Sequence, residues 1–116
     1  MLANPHTPNG FIAFVTSLPA VTVNEQWEAL VAKVGGKVFC LLGNDEGVLV
    51  FKVTEIAFDG LVEMEGIGQA PYFAKRQWVR VASGALEPEL LEGYIRHSYD
   101  MILGKLTRKL RAELGL

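Results

Sequence analysis

Cysteine is almost missing from this chain. Cys40 stands alone, so no internal disulfide can form and the core must hold the fold by itself. Histidine is nearly as scarce, with His6 and His97 far apart in sequence. One thiol and two separated imidazoles do not make a zinc set, and no cofactor is expected. No apolar run approaches the roughly 18 residues that a membrane span requires, so no membrane association is expected. A basic excess is lacking too: 11 Lys and Arg face 13 Asp and Glu, a formal net charge of −2. That balance argues against a protein that coats nucleic acid with its whole surface. Met1-Leu2-Ala3-Asn4-Pro5 has neither the basic start nor the apolar stretch of a secretion leader. Together with the single cysteine, this makes the cytoplasm the expected compartment.

What is present suffices for a core. Half of the 116 residues are hydrophobic. A chain of this size folds as one domain, residues 1–116, and buries most of the surface it would otherwise expose. The charge is uneven along it. Residues 1–65 carry three basic and eight acidic side chains, and residues 66–116 carry eight and five. A basic second half is compatible with a polyanion-facing surface, and equally with chance at this length.

The local signals predict an α+β domain. Thr7 and Pro8 open a helix over Pro8 to Ser17 on the Phe11, Phe14, Val15 and Leu18 stripe, weakened slightly by Gly10 and stopped by Pro19. Val21 to Val34 reads as extended, with Thr22, Val23 and Trp27 suiting one short strand and Leu30 to Val34 forming a firmer one. Gly35-Gly36 turns the chain into a hairpin partner, Lys37 to Leu42, and Val48 to Val53 is the next strand. Val38 to Leu42 is apolar on both faces, as expected of a central strand covered at least in part on both sides. Thr54 caps a second helix with Ile56, Ala57, Leu61 and Met64 as its stripe, ended by Gly66-Ile67-Gly68. Arg76 to Val81 alternates as a strand, with Arg76, Trp78 and Arg80 on one face. A long C-terminal helix starts near Pro88, with Leu91, Ile95, Ile102, Leu106, Leu110 and Leu114 buried and Tyr94 and Tyr99 at the margins. It bends near Gly104, and Thr107 caps a last short helix. Helices on one face of an antiparallel sheet is the economical packing.

Four segments in order, Ser17-Leu18-Pro19, Lys33-Val34-Gly35-Gly36-Lys37-Val38-Phe39, Lys75-Arg76-Gln77-Trp78 and Arg96-His97-Ser98-Tyr99-Asp100 with Leu106-Thr107-Arg108-Lys109-Leu110-Arg111, carry a resemblance. The chain resembles the MmcQ/YjbR family of small bacterial proteins. It departs from that family's pattern at Ala20, where a Gly is usual, and at Gln77, where a His is frequent. The resemblance implies a frataxin-like (CyaY-like) two-layer arrangement. It also implies a DNA-binding protein of accessory or regulatory type.

Two basic groups are candidate nucleic-acid contacts. Lys75, Arg76 and Arg80 flank Trp78; guanidinium groups grip phosphate oxygens, and an exposed indole stacks on bases. Lys105, Arg108, Lys109 and Arg111 place four cations within seven residues. Binding through so few cations is expected to be weak and salt-sensitive. The structural alternatives are an indole packed in the core under arginine stems, and a solvated helix end. A rival function is a protein-interaction or small-ligand domain whose docking patch is Trp78, Tyr72 and Phe73. An enzyme is not expected. His97 and Asp100 have only Ser98 beside them, about 100° away around a helix, and His6 lies in an N-terminal stretch expected to be loose. Cys40 reads as a small buried apolar residue. Glu55, Asp59, Glu63 and Glu65 read as a solvated acidic face rather than an iron site. The glycines lack the strand–loop–helix setting of a phosphate cradle. A monomer is expected.

Overall fold

The computed structural model describes residues 4–116. Their order is α1 (Pro8–Val15), β1 (Val21–Gln26), β2 (Ala29–Val34), β3 (Lys37–Gly43), β4 (Leu49–Lys52), α2 (Glu55–Leu61), β5 (Ile67–Gln69), β6 (Trp78–Val81), α3 (Pro88–Leu103) and α4 (Arg108–Glu113). The strands form one antiparallel sheet in the order β1-β2-β3-β4-β6-β5. The α+β reading therefore holds. One core cluster joins Phe11 and Val15 of α1, Phe58 and Leu61 of α2, and Leu91, Ile95 and Tyr99 of α3 to the inward residues of the sheet. The helices thus share one side of it.

Capping explains where the helices begin. Thr7, Thr54 and Thr107 accept hydrogen bonds from the backbone N–H groups of Gly10, Ala57 and Leu110 at 3.1, 3.2 and 3.1 Å. Each satisfies a donor that the first turn leaves free. Gly10 is required rather than merely tolerated. A Cβ there would sit 2.1 Å from the Asn4 carbonyl oxygen.

Several sequence expectations are corrected. Trp27 is not in a strand; it forms a two-residue hairpin loop with Glu28 between the paired residues Gln26 and Ala29. Ile67–Gln69 is a sheet edge rather than a helix end, because β6 supplies its hydrogen-bond partners. The buried face of α2 is Phe58 and Leu61, while Ile56 and Met64 are exposed. Tyr99 lies in the middle of the core; its ring meets Phe39 edge-on at 5.5 Å, and its hydroxyl donates to the Pro19 carbonyl at 2.7 Å. His6 is buried, and its Nδ1 lies 2.7 Å from the Gly47 carbonyl oxygen, pinning the segment before α1 to the β3–β4 loop.

Candidate functional site

The sheet face away from the helices carries a second, smaller apolar cluster: Ala29, Val31, Leu41, Val50, Ala70 and Trp78. Strand alternation puts it there, since β4 sends Leu49 and Phe51 to the main core and Val50 outward. Among the described residues no helix contributes to this cluster. The β5–β6 connection folds over part of it, and the Phe73 ring packs on Trp78 at a centroid distance of 4.5 Å. The rest is an open cleft of about 550 Å³, floored by Ala29, Leu41 and Val50 and walled by Trp27, Pro71, Tyr72 and Phe73.

The walls are unusual in two ways. Trp27 is 67% exposed and Tyr72 is fully exposed. Both also carry left-handed backbone angles, φ 53° and 70°. The β2–β3 hairpin makes its two-residue turn with Gly35 and Gly36, at φ 59° and 78°. Glycine meets that demand without steric cost. The β1–β2 hairpin makes the same kind of turn with Trp27 and Glu28, at φ 53° and 56°. Residues with a Cβ are strained there, and such strain concentrates at sites where a side chain must be presented.

The proposed basic strip is not assembled as expected. β6 begins at Trp78, so Arg76 precedes it, in a turn with φ 63° and its N–H donating to Gln69 Oε1 at 2.9 Å. The Arg76 side chain turns to α2, pairing with Asp59 through two contacts at 2.8 and 3.2 Å and with Glu55 at 3.8 Å. These carboxylates, Asp59 foremost, raise the basicity of its guanidinium further. Arg80 pairs with Glu46 of the β3–β4 loop at 3.2 Å. Trp78 is only 8% exposed, so its indole is covered rather than open for stacking. Lys75 is exposed in the connection before β6. Lys105, Arg108 and Lys109 are exposed and Arg111 half-buried, and none of the four forms an ion pair among the described residues.

The remaining candidates separate. His97 is exposed, and Asp100 pairs with Arg96 at 3.4 Å instead. Ser98 is buried and donates to the carbonyls of Lys52 and Tyr94. Cys40 is fully buried, and desolvation pushes its thiol far above the ordinary range, so it stays protonated. Among the described residues no three His, Cys, Asp or Glu side chains gather as a metal group.

Sequence reasoning missed Trp27 as a cleft wall and Lys52 altogether. Both had a signal. Gln26 and Ala29 flank a two-residue gap that fits a hairpin loop, and Lys52 is the only charge in an otherwise apolar strand.

A family model described as YjbR matches residues 16–101. The chain is similar to the Deinococcus radiodurans protein DR2400, whose crystal structure carries a domain designated DUF419. Identity is 27%, coverage is 99% of this chain and 93% of that one, and the TM-score is 0.87. It is also similar in fold to a Pseudomonas syringae protein, at 18% identity and TM-score 0.68, covering 82% of this chain and 97% of that one. No curated protein matches significantly. Among the described residues no helix is long and apolar enough to cross a membrane.

Proposed function

The chain belongs to the YjbR family, and we propose that it works as a monomeric, non-enzymatic binding module that receives an apolar or aromatic group in the cleft on the uncovered sheet face. The group belongs to a small ligand or to a protein side chain. One observation carries this reading: a solvent-exposed indole, Trp27, held at the cleft mouth in a turn whose backbone favours glycine. Burying exposed aromatic surface on binding is a strong source of affinity, and interface hot spots favour Trp and Tyr. The cleft volume of about 550 Å³ falls in the range of small-molecule pockets, and its lining is mainly apolar.

The test is a titration with the apolar dye anilinonaphthalene sulfonate, followed by amide NMR shifts. Saturable binding is expected, with shifts centred on Leu41, Val50 and Phe73. Trp27→Ala and Tyr72→Ala should each weaken it by tenfold or more. Unchanged binding in both variants refutes the cleft as the site.

A second reading is DNA binding of accessory or regulatory type. Arg76 and Arg80 are occupied by carboxylates, so the phosphate contacts fall mainly to Lys105, Arg108, Lys109 and Arg111, which form no ion pair among the described residues. About four contacts would give a log–log salt slope of about −3 to −4 on duplex DNA. Fluorescence anisotropy with duplex and single-stranded DNA tests it. No binding at a low salt of about 20 mM, where counterion release is strongest, removes this reading.

A further inference from the structure

Lysine is rarely buried without a partner for its charge. Lys52, at the end of β4, is 7% exposed. Its ammonium donates to Gln77 Oε1 at 2.9 Å and lies 5.6 Å from the centroid of the Trp78 ring. Neither contact supplies a counter-charge. Every ion pair among the described residues belongs to Arg76, Arg80 or Arg96, so no carboxylate lies within 4.0 Å of Lys52 or Lys105.

A second cation meets the first. Lys105, in the link between α3 and α4, is exposed and lies near enough for its charge to act on the Lys52 ammonium. Burial and then this neighbour hold Lys52 below the ordinary lysine range. A buried ammonium with no carboxylate partner and a second cation nearby is unfavourable unless something negative joins them. The donors are also surplus. An ammonium has three N–H groups, and Gln77 accepts from only one of those on Lys52. The Gln77 oxygen is taken by that bond, so its amide NH2 remains as a neutral donor at the same place.

We propose that Lys52, Lys105 and Gln77 form a binding site for a phosphate-type oxyanion at this end of the sheet. Two ammonium groups supply the charge, as lysines do at many phosphate sites, and the Gln77 amide supplies direction. The covered indole of Trp78 leaves no platform for a base, so the site recognises the phosphate group itself. It does not depend on what the cleft binds; Lys52 has no role in either reading given above, whereas Lys105 is shared with the DNA reading, and a Trp78 response to inorganic phosphate, which needs no DNA, tells the two apart.

The test uses Trp27→Phe, which leaves Trp78 as the sole tryptophan and therefore as a reporter beneath the Lys52 ammonium. Sodium phosphate is titrated against sodium chloride at matched ionic strength. A saturable change in Trp78 emission with phosphate alone is expected. Adding Lys105→Ala should weaken it tenfold or more, and adding Lys52→Met should abolish it. A phosphate response no larger than that of chloride, or one unchanged by Lys105→Ala, overturns the proposal. Lys105 is exposed, so that variant decides the matter even if Lys52→Met does not fold. A dinucleotide with and without a 5′-phosphate separates the sources. A response only to the phosphorylated form assigns the site to terminal phosphates, and a response to both assigns it to the phosphodiester backbone; either supports the site.

Discussion

The Trp27-Glu28 turn allows a separation of stability from function at adjacent residues. Glu28 is exposed, so Glu28→Gly removes little packing while relieving a φ of 56°. A left-handed residue with a Cβ costs about 1–2 kcal/mol, so this variant should be more stable by about 1 kcal/mol. In a domain of this size that raises Tm by about 4 °C. Trp27→Asn relieves a similar cost, since Asn tolerates the left-handed region. It also gives up the third of the indole surface that is buried. A large aromatic side chain presents at most about 250 Å². One third of that, at about 25 cal/mol per Å², is worth about 2 kcal/mol. Strain relief and lost burial should nearly cancel, leaving Tm within a few degrees of wild type. Dye binding should behave in the opposite way, unchanged in Glu28→Gly and lost in Trp27→Asn. Urea melts with fluorescence detection, run beside the dye titration, measure both. A Trp27→Asn variant destabilised by more than about 3 kcal/mol, beyond the worth of the buried indole, would show that the residue is structural. Retained binding would refute the cleft argument outright.

Three further predictions concern the scaffold. Gly36→Ala meets no atom within 4 Å and should cost only the backbone term, about 1 kcal/mol, whereas a Cβ on Gly35 would lie 2.7 Å from Leu106 Cδ1, so Gly35→Ala should cost about 2–4 kcal/mol in chemical denaturation. Tyr99→Phe loses the bond to Pro19 and should cost about 1 kcal/mol at neutral pH. Burial raises the Tyr99 phenol above its ordinary value of 10, so the folded state keeps a proton that the unfolded state gives up. The resulting stability is fully present below pH 10 and is lost as pH rises towards the folded value, and melts across that window should show a shallower decline in Tyr99→Phe. Cys40 should resist Ellman's reagent in the native protein at pH 8 and react only at the rate of unfolding; fast labelling would contradict its burial.

Much of the scaffold was written in local chemistry. Gly35-Gly36, the three threonine caps and the doubly apolar run of β3 each state their role within a few residues, and the structure honours all of them. What escaped depends on partners distant in sequence. Ile67–Gln69 is a strand only because β6 lies beside it. Arg76 sits in a strand-like alternation, yet its side chain pairs with α2, and the ladder starts after it. The cleft is assembled from the β1–β2 turn, β2, β3, β4 and the β5–β6 connection, so no window of sequence contains it. Trp78 had two readings from sequence, stacking surface or packed core; neighbours such as Phe73 and Val50 decided for the second.

Leu106 fills the space that the missing Gly35 side chain leaves open, and it is 5% exposed. It lies beyond residue 101, where the segment shared with the family ends. A protein trimmed to that shared boundary would therefore lose the plug at the hairpin tip together with Leu110 and Leu114. It would present a raw hydrophobic scar beside the β2–β3 turn, and self-association of the shortened form would be the first sign of it.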